Sequence, residues 1–215
     1  MIKPIIFWGA SGQAKVIYEF IDILGYQLIA LFDNCTEIAS PFSGIPIYYG
    51  EDAFHEWRLA YNSNNVSFLV TIGGERGQDR YMIQQFLMTN GLSVTKAIHP
   101  SAYVAKNAEI GPGSQILINA SVGAETRLKD ACIINTSASV DHECILEKGV
   151  HIAPGACLAG CVSVGEFTMV GTGATVLPRI TIGANVTIGA GAVITKNIPD
   201  NSIAVGNPAK ITKKT

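Results

Sequence analysis

From Val104 to Ile194 every sixth residue is aliphatic, reading V, I, I, V, L, I, V, L, I, L, V, V, V, I, I, I. The residue four places after each of these sixteen is A, S, A, T, C, A, C, V, A, V, T, A, I, V, A or I, so all are small, β-branched or aliphatic. Glycine often follows the aliphatic residue, as in Ile110-Gly111, Val122-Gly123, Val164-Gly165, Val170-Gly171, Ile182-Gly183 and Ile188-Gly189. A fixed six-residue phase of this kind leaves few folds open. Each hexad supplies one short strand and a turn, and it buries its aliphatic residue only by stacking on neighbours. The product is a parallel β-helix. Three hexads close one triangular coil, so residues eighteen apart stand above one another. Sixteen hexads give about five coils, and a strand spacing of ~4.8 Å makes the prism roughly 25 Å long. Nothing interrupts the phase, so no long loop leaves the prism in this range. Cys132 and Cys144 occupy the fourth-offset position and are read as core filler.

The N-terminal half has a different grammar. Ile5 to Trp8 reads as a short apolar strand running into Gly9-Ala10-Ser11-Gly12, then a helical stretch to about Leu24, broken by Gly25-Tyr26. Gln27 to Phe32 is a second strand ending at Asp33-Asn34. Val66 to Ile72 is another, closed by Gly73-Gly74. Glu75 to Thr89 reads as a helix with Tyr81, Ile83, Phe86 and Leu87 on its buried face, and Val94 to Ile98 as a further strand. Alternating strands and helices argue for a small parallel α/β sheet of Rossmann-like form. The chain divides into an α/β domain over residues 1–100 and an all-β β-helix domain with a C-terminal tail over 101–215.

Composition narrows the function. The formal charge of −2 offers no basic excess, so neither nucleic acid nor a membrane surface is expected as a partner. No apolar run approaches the ~20 residues that cross a bilayer, and the N-terminus lacks a signal-peptide pattern. Five scattered cysteines without CxxC pairs suggest reduced thiols and a cytoplasmic location, not a disulfide frame or zinc site.

The GASG turn links a strand to a helix, so backbone N–H groups and the helix N-terminus can cradle phosphate. The full G-x-G-x-x-G is absent. Asp33 ends the second strand where Rossmann folds place a ribose-binding acid. NAD and a nucleotide sugar are both open on these residues. In the prism, Asp141-His142-Glu143 sets an imidazole between two carboxylates, which can orient it and raise its basicity. Gly160 lies one coil above His142. His151 follows His142 by half a coil, so the two face different directions and can share a site only across an interface between prisms. Rows spaced by eighteen, namely Pro154, Thr172 and Ala190, and His142, Gly160 and Pro178, set small residues above one another along the prism. Lys210, Lys213 and Lys214 follow the prism as a basic C-terminal tail.

Several stretches together resemble one family: GASGQAK at 9 to 15, FDN at 32 to 34, IHPSA at 98 to 102, NTSASVDHEC at 135 to 144, HIAPGACLAG at 151 to 160 and VGNPAK at 205 to 210. They look like the bacterial nucleotide-aminosugar and sialic-acid acetyltransferases, hexapeptide-repeat acyltransferases with an N-terminal Rossmann-like domain. The resemblance implies a left-handed β-helix, a homotrimer with acyl-CoA sites between subunits, and acetyl-CoA as co-substrate with no metal required. It implies His142 as general base with Glu143 supporting it, and His151 as a contact of acetyl-CoA. Gly160, Thr172, Ala190 and Lys210 belong to the expected cofactor groove. Ser11, Gly12, Gln13, Asp33, Asn34, Gly73 and Asn135 are the expected nucleotide-sugar contacts. Gln13 stands where the family commonly has histidine, a departure at an expected sugar contact. The expected reaction is N-acetylation of a nucleotide-linked 4-amino-4,6-dideoxy sugar, with sugar O-acetylation as the alternative. A γ-type carbonic anhydrase would need His99, His142 and His151 to converge on zinc, and a noncatalytic nucleotide-sugar sensor is the third class.

Overall fold

A computed structural model describes residues 2–61 and 65–214 of the chain. The N-terminal half contains β1 (Lys3–Trp8), α1 (Gly12–Ile21), β2 (Tyr26–Asp33), β3 (Ile47–Tyr49), α2 (Gly50–Ala60), β4 (Ser67–Val70), α3 (Gly77–Thr89) and β5 (Ser93–Val94). The five strands form one parallel sheet in the order β3-β2-β1-β4-β5. β1 is central and reads as an unbroken apolar run because helices cover both of its faces. Ile5 and Phe7 pack towards α1 with Ala14, Ile17 and Phe20. Ile6 and Trp8 point the other way, onto Phe54, Trp57 and Leu87. The pair β3 and α2 carries little sequence signal. β3 is three residues long, and α2 buries only Phe54 and Trp57.

Every foreseen aliphatic position of the repeat is the second residue of a two-residue strand, from Tyr103–Val104 to Val193–Ile194. The strands stack into three parallel faces. The first face runs from Ala97–Ile98 through Gln115–Ile116, Ile133–Ile134, His151–Ile152, Met169–Val170 and Thr187–Ile188 to Ser202–Val205. The second begins at Tyr103–Val104 and includes Ser139–Val140; the third begins at Glu109–Ile110 and includes Ile145–Leu146. Register pairs residues eighteen apart, as in Ile133 with His151. The prism starts six residues before Val104, because Ile98 is already in phase. The single strand expected over 94–98 is therefore two, β5 in the first sheet and Ala97–Ile98 in the prism. At the far end, Lys210–Lys214 folds back antiparallel on Ser202–Val205 and is not a loose tail. The side chains of Lys213 and Lys214 lie outside the described residues.

The turns share one backbone device. Every sixth residue from Gly113 to Gly191 has positive φ, including Ala131, Glu143 and Cys161. Non-glycine residues hold this conformation at a cost of ~1–2 kcal/mol each, which the stacked coils sustain. Cys132 and Cys144 are fully buried, and burial pushes their thiols up to about 12 and about 11.

α3 joins the two halves. Of the four apolar residues expected on its buried face, only Leu87 is fully buried. Gly77, Arg80 and Gln84 are buried as well, because the helix lies between the sheet and an edge of the prism. Gln84 Nε2 donates to Pro112 O at 3.3 Å. Arg80 donates to Ala131 O, Ile72 O and Gly149 O, each at 2.8 Å. Gly77 meets Gly149 backbone to backbone, with no room for a Cβ on either residue. Each turn of helix thus meets one coil of the edge between the third and first faces. Burial pushes the Arg80 guanidinium down to about 10. Its partners are carbonyls, so it acts as a three-armed clamp between the domains.

Candidate functional site

The first site grows from the GASG turn. Gly9 has φ +110, and a Cβ there would lie 2.5 Å from Thr71 O, so only glycine permits this approach of β1 to the end of β4. Asp33 fixes the turn. Its Oδ2 accepts from Ala10 N–H at 2.8 Å and its Oδ1 from Cys35 N–H at 2.9 Å. The start of α1, with no side-chain cap at Ser11, then opens onto a cleft of about 370 Å³. Ser11, Gly12, Gln13, Asp33, Asn34, Gly73, Asn135 and His151 all line it. The seven residues expected to contact the nucleotide sugar therefore share one cavity. Trp8, Ile38 and Arg76 also line it and were not foreseen; the Arg76 side chain is exposed and pairs with Asp79 at 2.7 Å. Gln13 Nε2 donates to Gln115 Oε1 at 2.6 Å, and Gln115 Nε2 donates to Val70 O at 2.8 Å. Gln13 thus ties the floor of the cleft to the prism.

His151 lies in this cleft and is 4% exposed. Its tautomer follows from its partners. Gly74 O can only accept, so Nδ1 carries the proton at 3.1 Å from it. Asn135 Oδ1 accepts from Thr136 N–H at 2.8 Å, which turns the Nδ2 amide towards His151 Nε2 at 3.0 Å. Burial lowers the His151 pKa to about 4, with the Gly74 carbonyl opposing and Arg80 reinforcing the shift. The ring is neutral near pH 7 and has hydrogen bonds at both nitrogens.

His142 stands elsewhere. It follows the second-face strand Ser139–Val140, at the edge between the second and third faces. In a triangular prism that edge is opposite the first face, which carries His151. His142 is half exposed, and Nδ1 is 2.8 Å from Glu143 Oε2. Glu143 takes the positive-φ place of its turn (φ +57), which brings its carboxylate beside the ring of its neighbour. Asp141 Oδ1 accepts from His142 N–H at 2.8 Å, so this carboxylate braces the turn. Gly160 sits directly on the imidazole: a Cβ there would lie 2.5 Å from Cε1 and 3.0 Å from Cδ2. Cys161 N–H donates to His142 O at 2.9 Å, which fixes the stacking of the two coils. The Gly160 N–H has no acceptor among the described residues.

The remaining expected residues follow a third line. Thr172 and Ala190 are exposed and stand with Thr136 and Pro154 on the edge between the first and second faces. Gly155 N–H donates to Thr136 O, Gly173 to Pro154 O and Gly191 to Thr172 O, at 2.9, 3.0 and 2.8 Å. This column rises from the cleft, because Asn135 precedes Thr136. Lys210 is exposed beyond it on the last strand. Within one chain His99, His142 and His151 do not converge as zinc would require. His99 bonds Ser101 Oγ at 2.8 Å and packs on Phe20.

A Rossmann-like domain joined to hexapeptide coils defines the class, a two-domain acyltransferase with a left-handed β-helix. Residues 4–82 match the PglD N-terminal domain, and residues 161–196 match the bacterial transferase hexapeptide (six repeats). A mutant of perosamine N-acetyltransferase from Caulobacter crescentus, solved with CoA and GDP-perosamine, is 33% identical. It aligns over 99% of this chain and 98% of its own, with a TM-score of 0.90. The acetyltransferase domain of PglB from Neisseria gonorrhoeae FA1090, solved with acetyl coenzyme A, is 34% identical over 98% of this chain and 100% of its own, with a TM-score of 0.85. This chain belongs to the family of hexapeptide-repeat sugar acetyltransferases with a PglD-type N-terminal domain. A Staphylococcus aureus (strain MRSA252) protein described as an acetyltransferase is 50% identical over 56 residues, 26% of this chain. The chain spans only 28% of that curated relative's length. Among the described residues no helix is long and apolar enough to cross a membrane.

Proposed function

We propose that the chain transfers an acetyl group from acetyl-CoA to the amine of a nucleotide-linked 4-amino-4,6-dideoxy sugar. The observation that carries this reading is the single cleft gathering Ser11, Gly12, Gln13, Asp33, Asn34, Gly73 and Asn135 at the foot of the Thr136, Pro154, Thr172 and Ala190 column. The α1 N-terminus and Asp33 hold the nucleotide, and the column gives the pantetheine arm a small-residue track with Lys210 beyond it. His151, neutral and locked by Asn135 and Gly74, lies where cleft and track meet and contacts the acetyl end of the thioester. The relatives solved with GDP-perosamine and CoA, or with acetyl coenzyme A, support this pairing of ligands.

His142 is the general base. Glu143 accepts from Nδ1–H, which leaves the Nε2 lone pair for the substrate. The neutral sugar amine attacks the thioester carbon while Nε2 takes one of its protons. Glu143 stabilises the resulting imidazolium, and the Gly160 N–H faces the tetrahedral oxyanion. Collapse breaks the C–S bond, and the imidazolium returns its proton to the CoA thiolate. No acyl-enzyme is needed.

The base and the cleft lie on opposite sides of one prism, so the working site forms between two copies. One copy presents its cleft, and the next presents its His142 edge. Such a contact is heterologous, and three copies close it into a ring. The solution mass should then be three times 22.8 kDa. The five cysteines are free thiols, in keeping with a cytoplasmic enzyme.

The test is a panel of UDP-, GDP- and dTDP-linked 4-amino sugars, plus free sialic acid, assayed for loss of the acetyl-CoA thioester. His142→Ala should lose ~10²–10⁴-fold in kcat and keep binding both substrates. Near-wild-type turnover by His142→Ala would overturn the role of the base. Transfer to sialic acid alone would replace the amine by a hydroxyl.

A further inference from the structure

His142, Glu143 and Cys161 place one ligand atom each within 4.8 Å of one another. The mechanism above uses the first two and leaves the thiol idle. Cys161 takes the same place in its turn as Glu143, one coil higher, and both are held in the positive-φ conformation. That conformation sends both side chains out at the same edge. The Cys161 Sγ lies 3.8 Å from Glu143 Oε2, which is 2.8 Å from His142 Nδ1. The backbone beneath is held by Cys161 N–H to His142 O and Glu143 N–H to Ala124 O, at 2.9 and 2.8 Å.

From this geometry we infer an inhibitory site for a zinc-like divalent cation, bound by His142 Nδ1, a Glu143 carboxylate oxygen and the Cys161 thiolate. Zinc takes nitrogen at ~2.0–2.1 Å, oxygen at ~2.0–2.2 Å and sulfur at ~2.3 Å in tetrahedral geometry. Its ligand atoms then stand ~3.3–3.6 Å apart. The present spacings need only small side-chain adjustments, with the Nδ1–carboxylate pair opening and the thiol drawing in. Within a single chain all three side chains reach the surface, at the edge that the proposed ring turns towards a neighbour's cleft, and a fourth position stays open for water. Binding expels the thiol proton to solvent, so affinity rises with pH.

The consequence for catalysis is a matter of tautomers. With metal on Nδ1, a neutral imidazole keeps its proton on Nε2. That is the nitrogen that otherwise accepts the proton of the amine. The metal also takes the Glu143 carboxylate that would stabilise the imidazolium. The cation therefore removes the base at Nδ1 and Glu143, without ligating any residue that lines the cleft. The inhibition rests on His142 being the base, whereas the binding does not, and the two are read separately.

Binding is read by titrating the full-length protein with Co²⁺, whose thiolate complex gives a near-ultraviolet charge-transfer band. Wild type should show the band at one equivalent per chain, Cys157→Ser should keep it, and Cys161→Ser should lose it. Inhibition is read by thioester absorbance with added Zn²⁺. Cys161→Ser should keep the metal-free kcat/KM and be inhibited about tenfold or more less strongly, and a chelator should restore wild-type rate. A charge-transfer band that persists in Cys161→Ser, or no band in wild type, overturns the site. Equal zinc inhibition of wild type and Cys161→Ser overturns the regulatory role even if the band behaves as expected.

Discussion

Gly160→Ala isolates the contact on which the proposed base depends. The new Cβ would lie 2.5 Å from His142 Cε1, whereas carbon atoms rest at ~3.5–4.0 Å. The ring must therefore retreat by about 1 Å or swing away. Gly160 is not among the positive-φ glycines, so alanine fits its backbone. The atoms in the way belong to a half-exposed side chain, so folding should change by no more than about 0.5 kcal/mol. Catalysis is less forgiving, because a ~1 Å misplacement of a reacting group costs about 10²-fold. The expected result is a trimer with near-wild-type urea midpoint, unchanged binding of both substrates, and kcat lower by about two orders of magnitude. In a His142→Ala background the same substitution should have little further effect, since there is no ring left to displace. Wild-type kcat in Gly160→Ala, or full additivity with His142→Ala, would refute the stacking of this glycine on the base.

His151 makes stability depend on pH. Its folded pKa is about 4 against an ordinary 6.5, so the unfolded chain binds the proton first on acidification. Stability is whole above pH 6.5 and is lost as pH falls towards 4; between pH 7 and 4.5 the loss is about 2–3 kcal/mol, and urea melts of His151→Gln should lack this slope. Arg80→Met strands two buried carbonyls and one part-buried one and should cost about 3–5 kcal/mol by chemical denaturation, with Arg80→Lys intermediate. Cys144→Ala should remain active in the thioester assay, because the Cys144 thiol is buried and pushed up to about 11; a folded but inactive variant would revive an acyl-enzyme.

The prism was legible because a hexad is a local rule repeated many times. Phase alone turned the recurring aliphatic residue of each hexad to the core and showed that His142 and His151 face different ways. It also stacked Gly160 on His142. What phase could not show is how the two halves meet. Arg80 and Gln84 look like the solvated face of a helix, and nothing near them in sequence signals the carbonyls of distant turns at Pro112, Ala131 and Gly149. His151 carries the same difficulty. Its place in the repeat suggests an exposed edge or a groove for an acyl carrier, yet the docked α/β domain covers it and makes it part of the cleft beside the GASG turn. The bond from Gln13 to Gln115 gives Gln13 a structural use that its neighbours in sequence do not reveal.

The seam along α3 works as a vernier. A helical turn advances ~5.4 Å and a coil ~4.8 Å, so the two scales drift apart by ~0.6 Å per step. They coincide for a few coils only, from Gln84 at Pro112 to Gly77 at Gly149. The α/β domain can therefore be set only at whole-coil heights along the prism, and Arg80 chooses the height by gripping Ala131 and Gly149. His142 lies between those two residues in the chain, on the same coil. In the proposed ring all copies sit level, so this choice also brings each cleft level with its neighbour's base. A slip of one notch would carry the sugar amine ~4.8 Å along the axis, beyond the reach of a hydrogen bond.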